Sequence, residues 1–283
     1  MATDGTDGDL LAVSDLHVGY EENRVLVERL RPRSEADWLI VAGDVGDVLE
    51  DVEWALTVLS RRFARVLWVP GNHELWTLKR DPRPLRGVER YEHLVELCRG
   101  LGVLTPEDPY PVWTGAQGSV RIAPLFTLYD YSFLTPGTST RAESLAAARA
   151  AGVVCSDEFL LHPDPHPTRE AWCRARVDTS EQRLAAVAGE LPLVLVNHWP
   201  LVREPTRVMR HQQFAQWCGT ERTADWHTRF GAVLSVYGHL HIPRTTTHDG
   251  VRFEEVSIGY PREWKHRGLR EDVARVVLPG APP

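Results

Sequence analysis

The sequence predicts an α/β fold with two mixed β-sheets packed together and covered by helices. Three observations predict it. Short apolar runs of strand length alternate with helix-like stretches through the first hundred residues. The second half adds further strand-like runs with fewer intervening helices, so its strands are not all parallel. Several of these runs end in Asp, His, Asn and Gly, and open α/β sheets place their active sites at such polar strand ends.

Leu10–Val13 is the first strand and leads to a short helix around Glu22–Leu30. Trp38–Val41 leads to a longer helix near Glu50–Arg62. Val66–Val69 is followed, after a loop with Pro82 and Pro84, by a helix over Val88–Arg99. There Val88, Tyr91, Val95 and Cys98 recur at helical spacing. This rhythm implies parallel strands joined by right-handed crossovers. Val120–Leu125, Leu193–Val196, Ala232–Tyr237, Val251–Ser257 and Ala274–Leu278 read as the later strands. Ser180–Glu190 reads as a helix with Ser180 as its N-cap.

Tyr129–Cys173 fits this rhythm poorly. It holds Asp130-Tyr131-Ser132-Phe133, an Ala-rich run at Ser144–Ala151 and the Pro-broken stretch His162–Pro167. An excursion of this length inside a domain is expected to be a functional lid or a disordered segment, and its aromatic content favours an ordered lid. The expected organisation is a disordered acidic tail at residues 1–9 and a single domain over 10–283, with 129–173 as a lid or insertion.

Composition narrows the function classes. A net charge of −7 argues against a general binder of nucleic acid or acidic membranes. The longest apolar stretches are strand-sized, and Met1–Asp9 is polar and acidic, unlike a signal peptide. Cys98, Cys155, Cys173 and Cys218 are scattered, without a Cys-x-x-Cys pair. Reduced thiols in a cytoplasmic protein are the expectation.

Five motifs carry the chemistry. They are Ser14-Asp15-Leu16-His17, Gly43-Asp44-Val45-Gly46-Asp47, Gly71-Asn72-His73-Glu74, Asn197-His198 and Gly238-His239-Leu240-His241. Each alone is compatible with turn or cap chemistry. All five in order, each behind an apolar strand, supply the oxygen and nitrogen ligands of a two-metal hydrolytic centre. Histidine and carboxylate ligands without a thiolate suit manganese, iron or zinc better than magnesium or calcium. No Gly-x-Ser-x-Gly elbow or Walker loop competes with this reading. His93, His227, His248 and His266 stand in polar contexts and read as surface histidines. His162 and His166, near Asp157, Glu158 and Asp164, read as part of a solvated loop.

In type and order the five motifs resemble those of the calcineurin-like metallophosphoesterases, from Asp15 to His241. The resemblance implies an αββα four-layer sandwich. It implies that Asp15, His17, Asp44 and His241 hold one divalent transition metal, manganese or iron before zinc. Asp44, Asn72, His198 and His239 would hold the second, with Asp44 bridging. His73 would be no ligand but the acid that protonates the leaving group, oriented by Asp47. Asp47 is followed by Val48-Leu49 and not by Arg-Gly, which sets the chain apart from the protein Ser/Thr phosphatases of that family.

Four further stretches resemble an actinobacterial branch of phosphopantetheinyl hydrolases. They are Trp68–Trp76, Leu128–Phe133, Trp217–Thr220 with Thr223–Thr228, and Gly259–Trp264. Enzymes of this branch cleave the phosphodiester joining phosphopantetheine to a serine of an acyl carrier protein. That resemblance implies an acyl carrier protein as substrate and partner, with no nucleic acid or membrane. Trp76 would wall the pocket or pack in the core, Tyr131 and Phe133 would meet the pantetheine arm, and Arg207, Arg210 and Arg262 would face the acidic carrier or be ordinary solvated charge. A phosphoesterase of nucleotides or other small esters, and a non-catalytic binding module, are the alternative readings.

Overall fold

In the computed structural model, which describes residues 8–268 and 273–280, strands buried on both faces form the centre of the molecule. β1 (Leu10–Val13), β2 (Trp38–Val41) and β3 (Arg65–Trp68) run parallel in one sheet, and β10 (Arg275–Leu278) closes its edge antiparallel to β1. The second sheet has β4 (Val112–Gly115), β5 (Gly118–Pro124), β6 (Leu193–Val196), β7 (Ala232–Tyr237), β8 (Arg244–His248) and β9 (Val251–Glu255). Its order is β4-β5-β6-β7-β9-β8, with parallel pairs in the middle and antiparallel pairs at both edges.

Alternation along the strands builds the layers. Leu10, Ala12, Trp38 and Ile40 face the second sheet and pack with Ile122, Val194, Val196, Leu234 and Val236. Leu11, Val13, Leu39 and Val41 point the other way, into a larger apolar cluster that includes α1 (Glu21–Arg29), α2 (Leu49–Ser60) and α3 (Gly87–Gly100). Both faces are covered, so these strands read as continuous apolar runs. Truncating a side chain such as Ile40 to alanine should cost about 2–5 kcal/mol.

Two expectations are corrected. The helix expected to begin at Ser180 is α6 (Arg169–Val187), capped by Thr168, whose hydroxyl accepts from the Ala171 N–H at 3.2 Å. Ser180 lies inside it, on the buried stripe of Trp172, Cys173, Val177 and Leu184. A small polar residue on an apolar stripe imitated a helix start. His227, expected at the surface, is buried, with Nε2 3.0 Å from Asp249 Oδ2.

The 129–173 segment carries α4 (Arg141–Ala150), α5 (Asp157–Leu160) and the start of α6. Thr140 and Glu143 form a capping box on α4. The segment is joined to the loop after β3 by a bridge between Trp76 and Leu161 and by the Thr77 N–H donating to Leu160 O at 2.9 Å. Of the expected tail, residues 1–7 lie outside the described residues. Gly8 and Asp9 are tied to Ala36, Asp37 and Trp113. The last helix is α8 (Pro261–Arg267), and α7 (Trp226–Arg229) precedes β7.

Candidate metal centre

Five of the seven candidate ligands have a left-handed backbone: Asp15 (φ 54°), His17 (42°), Asp44 (54°), His239 (69°) and His241 (55°). Such conformations are costly for residues with a Cβ and cluster at functional sites. They arise where β1, β2 and β7 end and the chain turns abruptly. That turn lets Asp15 and His17, two residues apart, face the same point. A Cβ on Gly71 would collide with the Asp44 carboxylate, and one on Gly238 with Ser14 and Asp15. The motif glycines are therefore close-approach positions.

The strand-end loops are bonded to one another. The Asp15 N–H donates to Gly43 O at 2.9 Å and the His17 N–H to Asp44 O at 3.0 Å. Ser14 forms a parallel bridge with Ser257 beyond β9, which joins the two sheets at this end.

Two clusters form at the strand ends, Asp15, His17 and His241, and Asp44, His198 and His239, the donor atoms in each lying within 4.8 Å of one another; His17, Asp47 and His73 meet the same distance beside them. In the first, His241 Nε2 is 2.9 Å from Asp15 Oδ1 and 3.2 Å from His17 Nε2. In the second, His198 Nε2 is 3.4 Å from Asp44 Oδ2. Asn72 Oδ1 completes it, 3.1 Å from His239 Nδ1 and 3.3 Å from His198 Nε2.

Surrounding groups fix each donor. Asp15 Oδ2 accepts from Ser14 Oγ at 2.5 Å, Ser257 Oγ at 2.8 Å and the His239 N–H at 3.0 Å. His198 Nδ1 is 2.8 Å from Ala42 O, which leaves Nε2 for the centre. His241 Nδ1 is 2.6 Å from Glu263 Oε2, at the start of α8. Glu74 is fully buried and accepts from the backbone N–H groups of Asp44, Val45 and Gly71 at 2.9–3.0 Å.

Charge is distributed unevenly. Burial lowers the pKa of His17 to about 3, aided by the charge of His73, and burial lowers His239 to about 3, aided by His198. Burial also opposes protonation of His198 and His241. Asp44 overrides it for His198, raised to about 9, and Asp15 with Glu263 overrides it for His241, raised to about 10. Each cluster thus holds one neutral and one protonated histidine. A buried carboxylate beside convergent ring nitrogens, with no thiolate, fits a divalent cation in each cluster. The Asp44 carboxylate acts electrostatically on His198, His73 and His17, as expected of a group between the clusters.

His73 stands beside the centre with Nδ1 2.8 Å from Asp47 Oδ1 and Nε2 3.4 Å from the Tyr260 hydroxyl. Burial lowers its pKa, but Asp44 and Asp47 outweigh burial and raise it above the ordinary histidine value.

A cavity of about 650 Å³ opens over these groups. Asp44, Asn72, His73, Trp76, His239 and His241 line it, together with Arg210 and Arg262. Val153–Asp157 of the 129–173 segment form another side. The other expected substrate contacts are corrected. Tyr131 is buried, its hydroxyl donating to Glu158 at 2.7 Å, under Arg169 and Arg141. Phe133 is buried against Ala215 and Cys218. Arg207 lies apart from this cavity, 3.5 Å from Glu204. Aromatic and basic residue types carried no information on which side of their loops would face the cavity.

A model of the calcineurin-like phosphoesterases matches residues 9–243. The chain belongs to the calcineurin-like phosphoesterase family. Members use divalent metal ions, and the Asp–His clusters are this chain's candidate donor sets for them. Its two mixed sheets flanked by helices are the metallophosphoesterase fold. The chain is similar to the [acyl-carrier-protein] phosphodiesterase PptH of Mycobacterium tuberculosis, at 56% identity over 94% of this chain and 82% of that protein. It superposes on the crystal structure of phosphopantetheinyl hydrolase (PptH) from Mycobacterium tuberculosis with a TM-score of 0.94. That alignment has 54% identity and covers 99% of this chain and 100% of the other.

Within this family member, four supporting residues escaped the sequence reading. Asp157, which the sequence offers only as an acid near His162 and His166, is fully buried beside Asn72. Glu263 and Tyr260 belong to the Gly259–Trp264 stretch, in which only Arg262 carries an expected role. Arg90 of α3 is buried and bonds Glu74 O, Asp81 and Asp47 O, tying two motif loops together. Its sequence context, an arginine in an amphipathic helix, is that of an ordinary surface charge.

Proposed function

We propose that this chain is a dinuclear metal-dependent phosphodiesterase that releases 4′-phosphopantetheine from holo-acyl carrier protein. The observation that carries the reading is the pair of buried Asp–His clusters beside the Asp47–His73 pair, in a chain closely similar to a carrier-protein phosphodiesterase. Asp15, His17, Asp44 and His241 would hold one cation, and Asp44, Asn72, His198 and His239 the other. Manganese or iron suits this donor set best, with zinc a further candidate. When bound, the cations neutralise phosphate charge and make a nucleophile of water near neutral pH.

The chain's own residues supply the rest. His73, protonated and held by Asp47, gives its Nε2 proton to the serine oxygen as the phosphorus–oxygen bond breaks. Asp47 keeps the ring in the orientation that points this proton into the cavity. Arg210 and Arg262 lie where an acidic carrier would approach, and Trp76 lines the cavity. Residues 10–283 act as one catalytic domain, with 129–173 as an insertion that lines the cavity. No helix among the described residues is long and apolar enough to cross a membrane. A cytoplasmic location accords with four unpaired, buried cysteines.

Turnover of a holo carrier protein by the manganese-loaded enzyme, against a panel of nucleotide mono- and diesters, tests the reading. A kcat/KM on the carrier well above every nucleotide supports it. Preference for a nucleotide replaces the substrate, and no hydrolysis of any ester with two metals bound removes the enzymatic reading.

A further inference from the structure

Asn72 is the one candidate ligand whose usefulness depends on which way round it sits. Its carboxamide offers a cation lone pairs only through Oδ1, because the NH2 end donates. Asp157 decides the orientation. Its Oδ1 accepts from Asn72 Nδ2 at 3.0 Å and from Trp76 Nε1 at 2.7 Å. An indole N–H only donates, so the Oδ1 that receives Trp76 Nε1 is an acceptor, and the NH2 end of Asn72 must face it. Asn72 Oδ1 is thereby turned to His239 and His198. The reversed carboxamide would set oxygen against oxygen at Asp157 and an NH2 group at the second cluster.

Asp157 is poorly supported for its own sake. It is fully buried, and its second oxygen, Oδ2, has no hydrogen-bond partner. A buried carboxylate left half-satisfied is costly to keep. Its backbone, in contrast, is braced. Arg169 Nη1 donates to Asp157 O at 3.1 Å and to Leu161 O at 3.0 Å, and its Nη2 pairs with Glu158 at 2.9 Å. Glu158 in turn receives Tyr131 Oη at 2.7 Å and Trp217 Nε1 at 2.9 Å.

We propose that Asp157 is the positioning residue that orients Asn72 for cation binding. The 129–173 insertion is thereby a working part of the second metal site, not a cover alone. Tyr131 acts in this scheme as a brace for α5. The inference rests on the two-metal reading above.

The test is titration of the metal-free protein with Mn²⁺, followed by elemental stoichiometry and electron paramagnetic resonance. Asp157→Ala should bind the first ion normally and the second about 10–100-fold more weakly, the usual scale for losing a group that orients a ligand. At two equivalents its spectrum should be that of isolated ions, where wild type shows an exchange-coupled pair. Asp157→Asn keeps an acceptor oxygen, which Trp76 Nε1 holds in place, and should retain the coupled spectrum. Asp157→Ser, too short to reach Asn72, replaces the alanine variant if that one fails to fold. A coupled spectrum with undiminished second-site affinity in the alanine or serine variant overturns the proposal. So does equal weakening of both sites, or an asparagine variant as impaired as alanine. Wild type that binds fewer than two ions overturns the two-metal reading itself, and this inference with it.

Discussion

Asp44 and His73 meet twice. The His73 N–H donates to Asp44 Oδ1 at 2.9 Å, and the His73 ring nitrogen Nε2 stands 3.8 Å from Asp44 Oδ2. One contact fixes the backbone and the other aligns the ring. The proposed acid is therefore tethered to the proposed bridging ligand, so the proton donor and the metal pair keep a set distance. The Asp47 contact at 2.8 Å fixes the remaining freedom of the ring.

His73→Ala should keep two metals and a normal fold, because the Asp44 contact that survives is made by the backbone. Its kcat should fall on the order of 10²–10⁴-fold on a diester with a poor, alkoxide-like leaving group. A nitrophenolate leaving group departs without protonation and should lose far less. Equal losses on the two substrates would reassign His73 to phosphate binding.

Metal uptake should release protons. His198 and His241 are raised to about 9 and about 10 in the metal-free chain, so both hold a proton at neutral pH that must leave when a cation takes the nitrogen. Apparent affinity should rise with pH from 7 until about 9–10 and then level off, as read by calorimetry in buffers of different ionisation enthalpy. The stability of the metal-free protein should move oppositely. Both pKa values lie above the unfolded value of about 6.5. The stabilisation from these pairs is thus complete below that pH and is lost as pH rises through 9–10. An affinity flat from pH 7 to 9 would contradict the assignment.

Glu74 organises the ligand loops. Glu74→Ala would leave the buried N–H groups of Asp44, Val45 and Gly71 without an acceptor, at about 1–3 kcal/mol for each group. A loss on the order of 3 kcal/mol or more in urea unfolding of the metal-free protein is expected, with both metals bound more weakly. Stability within about 0.5 kcal/mol of wild type, the range of an ordinary surface change, would show that the loops hold without it.

The fold was legible because β1, β2 and β6 are buried on both faces and so spell continuous apolar runs, and β3 and β7 are buried in all but one residue each. The seven candidate ligands were legible because each follows such a run. What the sequence hid follows from the same physics. Asp157 reaches Asn72 across 85 positions through an insertion whose longer helices, α4 and α6, begin at the caps Thr140 and Thr168 and not at apolar periodicity. Tyr131 and Phe133 are aromatic in a loop, which fits a pocket wall and a packed brace equally, and only the fold decides between them. β4 and β8 went unread because they are edge strands with part of their surface exposed, so their apolar signal is diluted.

Arg210 and Arg262 line the cavity, and Arg207 does not. Charge reversal at Arg210 or Arg262 should lower kcat/KM on a holo carrier about tenfold or more at low salt. The effect should shrink as salt brings the Debye length to about 8 Å. Arg207→Glu should change little, and metal content should be unaffected in all three. A loss at Arg207 matching that at Arg210, measured by steady-state kinetics over a salt series, would place the docking rim elsewhere.

Hydrolysis of a holo carrier protein by the manganese-loaded enzyme in ¹⁸O-water, followed by intact-mass spectrometry, tests the central claim most directly. The account predicts apo carrier with an unlabelled serine, and free phosphopantetheine carrying one ¹⁸O in its phosphate. Water attacks phosphorus, and the serine oxygen leaves with the proton of His73. A carrier whose mass does not change, or ¹⁸O appearing in the carrier's serine, would contradict it.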